Sequence, residues 1–431
     1  MEEGFVKYWY RPSLLLFLFL VGAMPAGTIY TIPVKHVALI SLLAALSVYT
    51  IRNYHSINVS KFKPIFVGLA IIVALLFWLL IGALNGPEYT AYAVYQWKGL
   101  VLTVMLPAMI LTLLKLGLVR RGELESIFMI AGIMFAIIKV AFVIFIAYGI
   151  LDAEKFFSEF SQIFGIGVVH MELADNLYRL FLLNNDVVVL FSLYLVLSDR
   201  VVNFGKFLWL ALAVLLLSIF FAYSRVLFVA SLGVVVLALA EYDELKEILE
   251  RAIHLVIAGI VAVFILWVSF NSDDTAGATK LLQERFNSEA VESSDSIRHA
   301  QIDALWGATM ERPLLGSGLG SYVKELPAPD TAAPFSYDVQ WLSYLYQLGF
   351  LGTLLLLAVA VLLPFLTHKN RYSKSWWITT LLFFGWLSMP ITNPYLGNST
   401  AGLVFSLFAV LFVNHNHQDP RYKSNICGSN S

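Results

Sequence analysis

Charged side chains are scarce in this chain. Asp, Glu, Lys and Arg make up 13% of its 431 residues, about half of their share in a soluble domain. The charges also nearly cancel, to a formal net charge of −1, so charge indicates no nucleic-acid partner and we expect none. Apolar residues fill the space, at 59% of the chain, and this excludes an ordinary soluble globular protein.

Cysteine is nearly absent as well. Cys427 is the one cysteine, so an intrachain disulfide is excluded. The sequence also lacks a cluster of ligands at metal-binding spacing and a Walker-type phosphate loop. We therefore expect no metal and no other cofactor, and any group transfer has to draw on an already activated donor.

Long hydrophobic blocks are the dominant feature. Blocks of about 17–25 residues recur along the chain, each long enough to cross the ~30 Å hydrocarbon layer as a helix. They predict an all-α polytopic membrane protein, a single transmembrane domain over residues 1–431 that contacts membrane lipids. The predicted spans are 13–31, 35–51, 64–84, 97–118, 124–150, 182–198, 205–222, 224–241, 252–270, 339–364, 376–394 and 399–414. We interpret the first block as a retained span and not as a signal peptide.

The segment 207–240 is one apolar run whose sole charge is Arg225. Because it is far too long for one crossing, we expect a tight helical hairpin at Tyr223-Ser224-Arg225.

Most Lys and Arg residues fall in the connections on one side of the predicted topology, which predicts that both termini are cytoplasmic. The long connections 151–181 and 271–338 then lie outside, the second containing short helices. Ile297, Ile302, Leu305 and Trp306 predict an amphipathic helix over 294–308.

Ionisable residues in or beside spans are candidate functional residues because a charge in the bilayer is costly. Lys139 and Asp186 lie inside two spans, where they either pair across helices or serve a proton or substrate role. Arg179, Arg225 and Arg298 all fall on the outer side, where their guanidinium groups suit a lipid-linked diphosphate. The alternative is that each is a snorkelling or solvated charge.

Other outer residues leave two interpretations open. The run PLLGSGLGSY carries Gly316, Gly318 and Gly320, which form either a simple turn or a loop whose backbone N–H groups approach a ligand. His170 and His299 are isolated histidines, and we keep them as reserve candidates for a catalytic base.

Four stretches together resemble the O-antigen ligase/polymerase superfamily of bacterial membrane glycosyltransferases. YSRVLFVASLG (Tyr223–Gly233) resembles a Ser-Arg opening of a span in that family. SIRHAQIDALWGATMERPLLGSGLGSYV (Ser296–Val323) resembles its Arg, aromatic helix and Pro-Leu-Leu-Gly-x-Gly-x-Gly pattern. DVQWLSYLYQLGFLG (Asp338–Gly352) resembles its His-Asn-x-Tyr-Leu…Glu-x-Gly-x-x-Gly pattern. YRLFLLNND (Tyr178–Asp186) is similar to an Arg-then-Asn segment before a span. The resemblance covers the C-terminal two thirds of the chain and implies a GT-C-like bundle of about twelve helices.

The chain departs from the family pattern at three positions. Asp338 replaces the histidine of the ligases, Val339 replaces the following asparagine, and Gln347 replaces the glutamate. Because the polymerases of the family vary here whereas the ligases keep the histidine, the resemblance favours the repeat-unit polymerase branch.

The resemblance implies a metal-independent enzyme at the periplasmic face of a bacterial inner membrane. Its donor would be a glycan on undecaprenyl diphosphate, its acceptor an incoming lipid-linked repeat unit, and a chain-length regulator a candidate partner. Arg225 and Arg298, with Arg179 as a third, would stabilise the leaving diphosphate. Asp338 would be the base or orienter of the acceptor hydroxyl, or alternatively a helix N-cap.

The remaining substrate contacts would come from the glycines, Tyr322 and Trp341, although an aromatic belt at the membrane interface explains such aromatics equally well. Two other functions stay open: an O-antigen ligase that transfers the glycan to lipid A-core or protein, and a non-enzymatic flippase or transporter. Lys139 and Asp186 are the features that fit a transporter, whereas the large one-sided outer loop does not.

Overall fold

The computed structural model describes residues 2–24, 29, 32, 34–52, 59–164, 169–174, 177–181, 183–199, 204–270, 288–326, 333–367 and 373–413. The first half of the described chain contains α1 (Glu2–Ala23), α2 (Val34–Arg52), α3 (Lys63–Leu84), α4 (Pro87–Leu116), α5 (Arg121–Ala147), α6 (Ala153–Phe164), β1 (Val169–Ala174), β2 (Leu177–Phe181) and α7 (Leu183–Leu197). The second half contains α8 (Leu208–Ala222), α9 (Arg225–Leu239), α10 (Leu245–Phe270), α11 (Ser288–Glu311), α12 (Gln340–Thr367), α13 (Lys374–Ser388) and α14 (Ser399–Phe412).

Each predicted span coincides with one of the helices α1–α5, α7–α10 and α12–α14, which confirms the all-α polytopic class. Among the described residues, six helical segments are long and apolar enough to cross a bilayer by themselves: Val59–Leu84, Pro87–Leu116, Arg121–Ala147, Gly205–Ala222, Leu245–Ser269 and Gln340–Ala360. Other apolar helices, such as α9, are shorter than this. The number of crossings therefore stays a prediction.

The bundle is organised around α7. From Val187 to Leu197 no side chain of α7 is more than 2% exposed, because α1, α5, α8 and α9 pack around it. A helical segment that is apolar on nearly every face, as α7 is from Val187 to Leu197, belongs at the centre of such a bundle. At the periphery, α10 exposes apolar side chains such as Ile260 and Trp267, as expected for a surface that faces lipid.

The predicted break in the apolar run is present between α8 and α9. Tyr223 adopts a left-handed conformation with a φ of 50°, and Ser224 is extended as the residue that precedes α9. Two residues thus separate α8 from α9, and Arg225 becomes the first residue of a new helix.

The two long connections contain more structure than the sequence predicts. Residues 151–181 form α6 and an antiparallel hairpin in which Val169 pairs with Phe181. In the second connection, α11 contains the predicted helix, but its apolar residues do not share one face: Leu305 is fully buried, whereas Trp306 is 49% exposed. We call the end of the bundle that carries α11 and the segment 312–339 the loop end.

Candidate functional site

Two of the predicted arginines meet on one carboxylate at the loop end. Arg225 Nη2 lies 3.6 Å from Asp295 Oδ1, and Arg298 Nη1 donates a 3.0 Å hydrogen bond to the same oxygen. Arg225 comes from the start of α9, and Asp295 and Arg298 lie one turn apart on α11. Two positive charges share one negative charge, so the group carries a net positive charge and suits an anion.

Asp338 lies next to this group through α11. Its backbone N–H donates to Gln301 Oε1 at 3.2 Å, and Gln301 is one helical turn beyond Arg298. Arg298 Nε and Gln301 Nε2 are buried donors without a hydrogen-bond partner among the described residues. Unpaired buried donors are costly, so this part of α11 has hydrogen-bonding capacity to offer a ligand.

The start of α12 fixes the backbone on the other side of Asp338. The Val339 carbonyl accepts from the Ser343 N–H at 3.0 Å, which places Val339 and not Asp338 at the N-cap position. The Gln340 amide then bonds both backbone groups of Leu396, donating to its carbonyl at 2.6 Å and accepting from its N–H at 2.7 Å. Asp338 is thus held between α11 and the segment that follows α13.

An apolar groove of about 420 Å³ leads away from Arg225. It lies between α7, α9 and α13, and its α9 wall runs from Arg225 to Leu237, about 18 Å along the helix. Its apolar lining includes Phe191, Val229, Val234, Leu381, Leu382 and Trp386. Because Val229 and Leu381 are more than half exposed, the groove opens to the side of the bundle. The site therefore combines a cationic head with an apolar channel beneath it.

Comparison with known proteins is informative for this region. A family model described as O-antigen ligase matches residues 210–357. The match spans roughly a third of the chain, from α8 into α12, and so contains Arg225, Asp295, Arg298, Gln301 and Asp338. No curated protein and no solved structure matches the chain.

The match supports the superfamily that the motifs predict, whose members are membrane glycosyltransferases. The span-length helices among the described residues indicate a membrane protein. The family description does not separate ligases from polymerases.

The other predicted charges form a separate pair. Lys139 Nζ donates to Asp186 Oδ1 at 2.6 Å, and both side chains are 1% exposed. The pair joins α5 to α7 in the bundle, and neither residue lines the groove at Arg225. Of the two interpretations of these residues, the geometry favours pairing across helices.

Of the two interpretations of the glycine run, the geometry favours the turn. The N–H groups of Ser317, Gly318 and Leu319 donate to the carbonyls of Tyr346, Gln347 and Trp78 at 2.9, 2.8 and 3.0 Å. These donors are therefore occupied by the bundle itself. Backbone N–H groups that are buried in the bundle require such internal partners because water does not reach them.

The glycines permit this backbone pairing. Gly316, Gly318 and Gly320 all have φ between 69° and 87°, and a Cβ on Gly316 would overlap the backbone of Gln347 and Gly349. Gly349 interrupts α12 with a φ of 63° and a ψ of −175°, and the freed Phe350 N–H donates to the Pro313 carbonyl at 2.8 Å. The run thus locks the broken helix α12 to α3 and α4.

The remaining histidine and arginine candidates are His299, Arg179 and His170. His299 lies exposed on α11, where its Nδ1 pairs with the Asp295 carbonyl at 2.7 Å. Arg179 and His170 lie in the β1–β2 hairpin, opposite Met171 and Leu180. Their side chains lie outside the part of the chain that the structure describes.

Two aromatic candidates occupy different positions. Trp341 is half-buried, and its Nε1 donates to the Leu387 carbonyl at 2.9 Å, close to the residues of α13 that line the groove. Tyr322 contacts the rings of Tyr89 and Tyr92 at centroid distances of 5.4 and 5.9 Å. Trp341 therefore supports the head of the groove, whereas Tyr322 belongs to a second surface.

Sequence reasoning missed Asp295 and Gln301. Asp295 precedes Arg298 by three residues, and this spacing places both on one helical face. The sequence therefore contained a signal for their ion pair. Gln301 had no such signal in the sequence. Its side chain is fully buried because the segment around Asp338, which is distant along the chain, packs against it.

Proposed function

We propose that the protein is a polysaccharide polymerase of the O-antigen or capsule kind. It transfers a growing glycan from undecaprenyl diphosphate to the hydroxyl of an incoming lipid-linked repeat unit, at the periplasmic face of a bacterial inner membrane. The observation that carries the proposal is the pair Arg225 and Arg298 on one carboxylate at the head of an apolar groove. A polyprenyl diphosphate has the matching shape, with an anionic head and a long apolar tail.

The geometry suits the chemistry of the donor. The acceptor oxygen attacks the anomeric carbon of the donor glycan, the bond from that carbon to the phosphate oxygen breaks, and the diphosphate leaves with the electron pair. Fixed guanidinium groups stabilise this developing charge more than the ground state. The Asp295 carboxylate, which is 43% exposed, gives way to the diphosphate or shares the arginines with it.

Asp338 is the proposed acceptor of the proton that the hydroxyl loses. Its backbone is fixed by Gln301, and it is half-buried next to the arginine-bearing face of α11. The carboxylate takes the proton or orients the hydroxyl so that one oxygen lone pair faces the anomeric carbon.

A reconstituted assay tests the proposal. Proteoliposomes containing the protein are supplied with lipid-linked repeat units isolated from cells that lack the gene, and the products are resolved by gel electrophoresis. We expect a ladder of longer chains without added nucleotide. We expect no ladder from Asp338→Asn at equal expression, whereas the control Asp303→Asn, an exposed position of the same helix, keeps it.

The possible results have distinct meanings. A wild-type ladder from Asp338→Asn would refute the role of Asp338. Movement of the lipid-linked units across the bilayer without elongation would refute the enzyme and support a transporter.

A ligase is the second candidate function, because it uses the same donor and the family description names it. Replacement of the ligase histidine by Asp338 supports the polymerase. Deletion of the gene distinguishes the two in cells: a single capping repeat unit on the surface indicates a polymerase, and complete loss of the glycan indicates a ligase.

A further inference from the structure

A second surface at the loop end is built from tyrosines of two distant segments. Tyr89, Tyr92 and Tyr95 follow one side of α4 at intervals of three residues. The ring of Tyr322, from the segment after α11, lies between the first two, with centroid distances of 5.4 Å to Tyr89 and 5.9 Å to Tyr92. We call these four tyrosines the tyrosine patch.

Phe335 forms the base of the patch. Its ring centroid is 6.1 Å from those of Tyr92 and Tyr95, and its side chain is buried. Tyr95 is 66% exposed above it. The rings are thus held on a packed base while one side of them stays accessible.

The predicted span 97–118 places the patch beyond the hydrocarbon layer. With 30 residues, α4 is about 45 Å long, some 15 Å more than the ~30 Å layer. The predicted span 97–118 leaves Tyr89, Tyr92 and Tyr95 in the projecting first turns. Interfacial aromatic belts lie at headgroup level. The tyrosines of α4 are instead spread over about 9 Å along the helix axis, from Tyr95 to Tyr89.

Polar groups border the rings. Lys324 Nζ lies 2.9 Å from Glu88 Oε1 and 5.9 Å above the Tyr89 ring. The hydrogen bond to Glu88 raises the pKa of Lys324, so the lysine stays charged at neutral pH. Aromatic faces beside exposed donors and acceptors match a sugar, which has apolar C–H faces and a rim of hydroxyl groups.

The patch is connected to the proposed catalytic residues. Phe335 precedes Asp338 by three residues, which limits the distance between their Cα atoms to about 11 Å. The Tyr337 hydroxyl between them accepts a hydrogen bond from the Val323 N–H at 2.9 Å, and burial raises the pKa of Tyr337 to about 12. This neutral hydroxyl ties the segment of Tyr322 to the segment of Phe335 and Asp338.

We infer that the tyrosine patch binds the saccharide of the lipid-linked acceptor and presents its hydroxyl to Asp338. The inference rests on the proposed function for the identity of the reaction. The patch recognises the sugar, whereas the arginine group recognises the diphosphate. Binding of the sugar to the patch can therefore be measured without the transfer reaction.

A binding experiment tests the patch without catalysis. The probe is the repeat-unit oligosaccharide released by mild acid from the lipid-linked pool of cells that lack the gene. Its binding to the full chain in lipid nanodiscs is measured by saturation-transfer NMR. We expect Tyr95→Ala to weaken binding about tenfold, and Tyr95→Phe, which keeps the ring, to bind nearly as wild type does.

Tyr148→Ala is the matched control. Tyr148 follows α5 at the same end of the bundle and is 53% exposed, but it lies outside the patch. We expect it to bind the oligosaccharide as wild type does, and we expect Tyr322→Leu to bind as weakly as Tyr95→Ala does.

The elongation assay separates the two hypotheses. If wild type elongates chains and Tyr95→Ala raises the KM for the acceptor about tenfold with kcat unchanged, the patch and the function are both supported. If wild type elongates but the patch variants match Tyr148→Ala in binding and KM, the patch is an interfacial belt and this inference is refuted. If wild type binds the oligosaccharide through Tyr95 but elongates nothing, the patch stands and the proposed function fails.

Discussion

Two groups of charges lie in this apolar bundle, and they differ in how completely they are paired. Lys139 and Asp186 form an ion pair in which both side chains are 1% exposed. In the other group, Arg225 and Arg298 share Asp295, with side-chain exposures of 24%, 21% and 43%. The first group is buried, whereas the second is partly open, and its three side chains carry one positive charge in excess.

The difference indicates which charges are structural. A buried ion pair has its two charges directed at each other and away from solvent, so it offers little to a ligand. Two arginines on one carboxylate retain donors and net charge, which favour binding of a further anion. If burial were the criterion, Lys139 and Asp186 would be chosen as the functional residues. The number of partners and the exposure of each side chain point instead to Arg225 and Arg298.

The largest expected effect comes from breaking the buried pair. Lys139→Met leaves the Asp186 carboxylate buried without its cation and should lower the free energy of unfolding by about 3–5 kcal/mol. Reversible denaturation in mixed micelles measures this. The double variant Lys139→Met/Asp186→Leu should recover most of the loss with activity retained. A double variant that is stable yet inactive would assign the pair a functional role and break the comparison.

The next effect concerns the open group. In Arg225→Lys a point charge replaces a planar fork of donors, so elongation should fall about 10²–10³-fold with the free energy of unfolding nearly unchanged. Initial rates in proteoliposomes measure it. Arg120→Lys, at an exposed position outside the group, serves as the control and should keep the wild-type rate. Full activity of Arg225→Lys would show that Arg225 merely snorkels.

The smallest effect comes from the shared carboxylate. Asp295→Asn removes an anion that competes for the two arginines, so the KM for the lipid-linked donor should fall by at most about fivefold, because Asp295 is partly exposed and screened by solvent. The dependence of KM on salt should become steeper. Asp303→Asn is again the control. A rise in KM would instead show that Asp295 is needed to hold the arginines in place.

Much of the fold was predictable because it depends on local composition. Hydropathy located the helices, and Arg225 in a long apolar run located the break between α8 and α9. The β1–β2 hairpin was not predicted, because its strands of six and five residues are too short to give a clear periodic signal. The order of the motifs also predicted the superfamily that the match over residues 210–357 supports.

The candidate site was predictable only in part. Arg225, Arg298 and Asp338 were identified as candidates from their types and positions, but their relation through Asp295 and Gln301 was not. The sequence left two interpretations of the glycine run open, a simple turn and a ligand-binding loop. The backbone donors of the run bond Tyr346, Gln347 and Trp78, which favours the turn.

The sequence by itself determined that this chain forms a helical membrane bundle, because transfer of apolar side chains and paired backbone into lipid depends on each segment separately. Only the tertiary structure decided which charges are neutralised and which remain available. Partners such as Arg225 and Asp295, or Gly318 and Gln347, are far apart along the chain. Their pairing depends on how the helices pack, and packing is a property of the whole bundle.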